Sequence, residues 1–135
     1  MTSFPLRIVS PDGMEFDGMV EELIVRTTTG DMGILAGHIN CVAPLGMGRA
    51  TVVAEGKRRY GACIGGILSM VDGKAAIVAT TFEWAEDIDL NRVEASMQKA
   101  QEQLRRKDLS QRDLQMAEAR LRRALVRKNV AAFVK

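Results

Sequence analysis

The sequence predicts a β plus α protein: an N-terminal β-sandwich over residues 1–86, then a C-terminal antiparallel two-helix hairpin over residues 87–135. Three observations carry that expectation. The first part is built of short apolar and β-branched runs separated by glycine turns, the pattern of an all-β domain. After Asp87 the apolar residues recur at steps of three and four, the helical period. The charge changes sign at the same place. Residues 1–86 carry 7 Lys/Arg against 10 Asp/Glu, a net −3, whereas residues 87–135 carry 12 against 7, a net +5.

In chain order, Phe4, Leu6 and Ile8 alternate with other residues and stop at Pro11-Asp12-Gly13, a strand and its turn. Val20 to Thr27 is a β-branched run that reads as a second strand. Gly30-Asp31-Met32-Gly33-Ile34-Leu35-Ala36-Gly37-His38 reads as a glycine-rich loop, whose three glycines permit tight turning and close backbone approach. Ala50–Val53 and Arg59–Cys63 flank Glu55-Gly56, and Ile67–Val71 and Ala75–Ala79 flank Asp72-Gly73; both pairs are hairpin signals. Asp89 is placed to cap a helix, with Ile88 and Val93 at the spacing of a hydrophobic staple. Leu90, Val93, Met97, Ala100 and Leu104 form its apolar stripe, and Arg105, Arg106 and Lys107 suit the negative end of its dipole. Ser110 with Asp113 starts a second helix, whose stripe runs through Leu114, Ala117, Leu121 and Ala124 or Leu125. The short connection implies antiparallel packing. Alanine is common along this seam, and each alanine buries far less area than a leucine worth about 1.5–3 kcal/mol, so opening the hairpin costs only a few kcal/mol.

Composition narrows the function. No apolar run approaches a membrane span and no signal-peptide core is visible, so a soluble intracellular protein is expected. Cys41 and Cys63 sit in apolar runs; reduced buried thiols are the plain reading, and a disulfide is also compatible with two cysteines. With one histidine, His38, and no paired-ligand pattern, metal and hydrolase chemistry find no support; Ser10, Ser69 and Ser96 have no His/Asp partners in view. Gly46-Met47-Gly48-Arg49-Ala50-Thr51 resembles a phosphate loop in composition but is followed by a strand where that motif needs a helix. The basic arm suits an acidic protein surface, a nucleotide or a nucleic acid. Nucleic acid lacks support from interleaved aromatics or a basic body. A stand-alone adaptor that binds protein or nucleic acid through the arm is the alternative function.

The run Gly30–His38, Gly65-Gly66 before Ile67-Leu68, the early Val9-Ser10-Pro11, and Ile88-Asp89-Leu90-Asn91-Arg92 together resemble the epsilon subunit of the F-type ATP synthase, in order and across the chain. That resemblance implies a non-catalytic central-stalk subunit. Its body binds the gamma subunit and rests on the c-subunit ring. Its helices fold back or extend toward the alpha and beta subunits, inhibiting ATP hydrolysis. It further implies a peripheral place on the cytoplasmic face of the cell membrane, within a complex that couples a proton gradient to ATP synthesis; a chloroplast version is the alternative within the family. Asp31 and His38 become candidates for subunit contact, Asp31 toward the c ring and His38 toward the gamma subunit or stalk. No cofactor is required. Some bacterial members bind regulatory ATP with Mg at Ile/Leu-Asp-x-x-Arg-Ala on the first helix, with arginines on the second. Here Glu83, Ile88, Asp89, Arg92, Arg123 and Arg127 match, and Val93 stands where the pattern has Ala. Arginine pairs with phosphate bidentately, which is the chemistry such a site needs.

Overall fold

The computed structural model describes residues 2–134 and divides the chain into two compact units, with the boundary between Trp84 and Ala85. The first unit holds seven strands: β1 (Phe4–Ser10), β2 (Gly13–Val20), β3 (Glu22–Thr27), β4 (Gly30–Leu35), β5 (Cys41–Ala54), β6 (Lys57–Val71) and β7 (Lys74–Trp84). They form one sheet in the order β2-β1-β7-β6-β5-β3-β4, with β1 parallel to β7 and every other pair antiparallel.

The sandwich is this one sheet folded over itself. β2 packs on β5, which is not its neighbour in the sheet. The fold line runs through glycine. Leu45 pairs with Gly66 and Met47 with Ile64, while Gly66 pairs with Ala79 and Ile64 with Thr81, so Gly65 falls between Gly46 and Thr80 with the register unbroken on both sides. Two glycines in succession let a strand bend sharply without a Cβ penalty. Gly65 and Gly66 have φ of 77° and 130°, and a Cβ on Gly66 would run into the carbonyl oxygen of Val78. Both two-residue turns expected from the sequence form. Glu55 and Gly56 have φ of 53° and 73°, and Asp72 and Gly73 have φ of 50° and 79°, the paired positive values that fit the right-handed strand twist.

Inside the folded sheet lie Leu6, Ile8, Val20, Leu23, Val25, Ile34, Val52, Leu68, Met70 and Ile77, all fully buried. Phe82 and Trp84 meet edge to face at 4.9 Å between centroids, and the Trp84 indole N–H donates to the Glu15 carbonyl at 3.1 Å. The Arg59 guanidinium sits 3.8 Å from the centroid of the Trp84 ring, an attraction between a cation and the ring's negative face.

The second unit begins with a 3₁₀ turn (Ala85–Asp87), continues with α1 (Leu90–Leu104) and α2 (Gln111–Ala131), and closes on a 3₁₀ turn (Ala132–Val134). Both expected caps form: the Asp89 carboxylate accepts from the Arg92 amide at 3.2 Å, and the Ser110 hydroxyl accepts from the Asp113 amide at 3.1 Å. The helices run antiparallel, because Glu94 meets Lys128 while Gln103, further along α1, meets Arg120, further back on α2. Val93, Met97 and Ala100 of α1 are buried, as are Ala117, Ala124, Val130 and Ala131 of α2.

One sequence expectation is corrected, and one that stood open is settled. The run Gly30–His38 is not a loop throughout: Gly30–Leu35 is β4, paired with β3 from Glu22↔Leu35 to Thr27↔Gly30. Backbone pairing along an edge needs no side chain at Gly30 or Gly33, and Ile34 alone is buried to anchor the strand. In α2 the seam passes through Ala124, and Leu125 is 41% exposed. Both cysteines are free thiols; Cys63 is buried and Cys41 half-buried.

Candidate functional site

The outer face of the body carries a row that no single strand reveals. Pairing aligns Pro44 of β5 with Ile67 of β6, Ile67 with Val78 of β7, Val78 with Val9 of β1, and Val9 with Met14 of β2. Paired residues share a face of a sheet, so five apolar side chains lie side by side across five strands, a span of about 19 Å at the usual strand spacing. Ile67 is 53% exposed, Val78 62% and Met14 54%. Pro44 is also exposed, and Val9 is half-buried. Val42 and Val71, two and four residues along the same face from Pro44 and Ile67, extend the row and are exposed too. Single exposed apolar residues are ordinary; a contiguous row on one face marks an interaction surface.

Asp31 and His38 lie outside this row, on β4 and just after it. Asp31 is on β4, opposite Arg26 of β3, and their side chains pair at 3.3 Å while both remain exposed. Solvent screens an exposed pair of this kind, so it costs little to part. His38 follows β4. Its amide donates to the Leu35 carbonyl at 3.2 Å, and its Nδ1 lies 2.9 Å from the Ile39 carbonyl oxygen. A carbonyl oxygen only accepts, so this bond places the ring proton on Nδ1. The Cys41 sulfur is 3.9 Å from the same nitrogen. Among the described residues no three His, Cys, Asp or Glu side chains are grouped to hold a metal ion. Burial pushes the Cys63 thiol up from an ordinary 9.0 to about 11, as expected for an inert core group.

The nucleotide candidates divide between the units. Glu83 is on β7 opposite Ala62 and half-buried. The other five are in the helical unit. Ile88 is buried, and Asp89 spends its carboxylate on the α1 cap. Arg92 is exposed on the first turn of α1. Arg123 and Arg127 are half-buried and one turn apart, so they share a face of α2. The Glu94–Lys128 and Gln103–Arg120 contacts set the level of each. Arg127 lies opposite residue 95 and Arg123 opposite residue 99. At 1.5 Å per residue, Arg92 is about 4.5 Å along the axis from the level of Arg127 and about 10 Å from that of Arg123. The spacing of three guanidinium groups along one hairpin suits a chain of phosphates, while the Asp89 carboxylate would have to serve the cap and a ligand at once. The sequence analysis missed the apolar row, because it exists only through strand register. It also missed Glu94, Gln103, Arg120 and Lys128, whose roles follow from helix pairing.

A folded sheet with an apolar docking row, continuous in sequence with a lightly seamed helical hairpin, defines a subunit built for assembly. Comparison with known proteins gives the family. Residues 3–85 match the ATP synthase, Delta/Epsilon chain, beta-sandwich domain, and residues 86–132 match the ATP synthase, Delta/Epsilon chain, long alpha-helix domain. The ATP synthase epsilon chain of Caldicellulosiruptor saccharolyticus is 36% identical over 107 residues, 79% of this chain and 78% of its own. That of Bacillus subtilis is 40% identical over 104 residues, 77% of this chain and 79% of its own. A chain in the mitochondrial ATP synthase of Euglena gracilis shares the fold with a TM-score of 0.82 at 22% identity, covering 100% of this chain and 83% of that one. One in the central stalk and c-ring structure of the Tetrahymena thermophila enzyme does so with a TM-score of 0.60 at 13% identity, covering 94% and 95%. The chain belongs to the delta/epsilon family of F-type ATP synthase subunits.

Proposed function

We propose that this chain works in the central stalk of a proton-driven ATP synthase as a non-catalytic subunit, docking through its sheet body and regulating through its hairpin. The body binds the gamma subunit and the c ring; the helices reach the alpha and beta subunits and restrain ATP hydrolysis. Attachment is peripheral, at the cytoplasmic face of the cell membrane. The observation that carries the docking half is the row Pro44, Ile67, Val78, Val9 and Met14, an apolar surface on a body that is otherwise acidic. Burying such a row contributes roughly 25 cal/mol per Å² of apolar area, offset by the cost of association. Asp31 remains the candidate contact toward the c ring and His38 toward the gamma subunit or stalk. The test is binding of the full chain to the gamma subunit. Ile67→Asp with Val78→Asp is expected to weaken it at least about tenfold, since two charges would be buried without partners. Unchanged affinity contradicts the docking assignment.

The hairpin reading extends to a nucleotide. Arg92, Arg123 and Arg127 would pair with the phosphates of Mg-ATP, with Asp89 and Ile88 beside Arg92; Glu83, on β7 of the first unit, is a candidate through the resemblance alone. Bound nucleotide would hold the helices folded when ATP is plentiful. Calorimetric titration of Mg-ATP into the chain tests this. Saturable binding lost in both Arg92→Ala and Arg123→Ala supports the latch; no heat at millimolar ATP removes it and leaves the arm to its protein contacts.

A further inference from the structure

We infer that the Glu94–Lys128 ion pair is a clasp that sets how often the hairpin is open, and that ionic strength tunes it. The inference rests on the proposed movable arm and assigns the residues that hold it shut. The apolar seam is short in side-chain area: between the two polar contacts lie Met97 and Ala100 on one helix and Ala124 on the other, with Val93, Val130 and Ala131 just outside the Glu94–Lys128 pair and Ala117 beyond Arg120. Near the turn the Arg120 guanidinium donates to the Gln103 side-chain oxygen at 3.4 Å, a weak contact to a neutral acceptor. Near the open end the Lys128 ammonium meets the Glu94 carboxylate at 3.0 Å, a short contact between full charges. A force at the open end opposes separation of two hinged helices with the longest lever arm. It also sits where opening begins, far from the turn.

The surrounding charges sharpen the effect. α2 carries Arg120, Arg122, Arg123, Arg127 and Lys128, so Glu94 is an acidic partner for a helix that is strongly basic along its length. With Glu94 neutralised, Lys128 keeps its charge, and the other carboxylate of α1, Glu102, lies eight residues, about 12 Å, further along the helix. The pair is about half exposed, at 47% and 44%, so salt reaches and screens it. An exposed pair of this kind changes an equilibrium by only about two- to fivefold. A hairpin poised within a few kcal/mol of opening turns that modest factor into a usable change in the open fraction.

Spin labels at Asn91 and Asn129, two exposed positions level with each other near the open end, report the distance between helices in the full chain with Cys41→Ser. We expect a short and a long population. Glu94→Gln and Lys128→Gln should each raise the long population about two- to fivefold at low salt, and 1 M salt should bring the unmodified pair toward the same value. The double reversal Glu94→Lys with Lys128→Glu should restore the short population, an outcome that altered helix propensity alone would not produce. Two populations that do not differ among these variants overturn the clasp and leave the movable arm standing. A single short distance in every variant and at every salt concentration overturns both.

Discussion

The two units hold themselves together by different means. In the body, ten large side chains from Leu6 to Ile77 are wholly removed from water, and backbone pairing closes every strand to at least one neighbour. Among the described residues of the helical unit Val130 is the one large side chain buried to that degree, beside the small Ala100, and the seam includes alanines and the exposed Glu94–Lys128 pair. Interiors close-packed around large side chains transmit load and resist rearrangement. A seam of small residues gives up little when it parts. Rigidity thus lies under the exposed apolar row, and the low cost of motion lies in the helical unit.

The contrast can be broken most directly at the fold line of the sheet. Gly66→Val should cost about 3–5 kcal/mol, from strained backbone at positive φ and from the clash with the Val78 carbonyl. Chemical denaturation followed at Trp84 checks it, and a loss below about 1 kcal/mol would contradict the role of the glycine bend. Ile77→Ala, in the body core, should cost about 3 kcal/mol, whereas Ala124→Gly in the seam should cost about 1 kcal/mol and act on the helices. Hydrogen exchange resolves the two: protection should fall across the sheet in the first variant and only in α1 and α2 in the second.

A buried thiol gives the contrast a pH dependence. Cys63 holds its proton to about pH 11 when folded and to about 9 when exposed. Between those values the unfolded chain has released a proton that the folded chain keeps, so stability falls as pH rises. The stabilisation is present in full below pH 9 and its loss by pH 11 is on the order of 2 kcal/mol. Cys63→Ala should remove that part of the slope, measured as the difference between the two proteins so that lysine and tyrosine titration cancels. At the small end, Asp89→Ala should cost about 1 kcal/mol of helical-unit stability through the lost cap. Circular dichroism melting is the readout; no change would mean that the first turn of α1 is held from elsewhere.

Much of the fold was legible because local chemistry decided it. Glu55-Gly56 and Asp72-Gly73 could only make tight hairpins at positive φ, and Asp89 and Ser110 could cap helices with no help from tertiary structure. β4 was not legible, because Gly30 and Gly33 erase its alternation and its pairing with β3 comes from backbone atoms. The docking row was hidden for a deeper reason. Ile67 and Val78 are eleven residues apart in sequence and become neighbours only through a register that Asp72-Gly73 sets, and Val9 and Met14 join them through the parallel pairing of β1 with β7. Of the site residues, the motif around Asp89 and Arg92 announced itself, while the Glu94–Lys128 pair needed the crossing of the two helices to be known.

The measurement that tests the division of labour most directly is a paired one on the ATP synthase from which this subunit has been removed: affinity of the added chain, and rate of ATP hydrolysis once it is bound. Ile67→Asp with Val78→Asp should lose affinity while its hairpin melts as before. Glu94→Gln should bind as the unaltered chain does and change the degree of inhibition. Equal affinity for the row variant, or a loss of affinity in the clasp variant, would contradict the assignment of docking to the body and regulation to the arm.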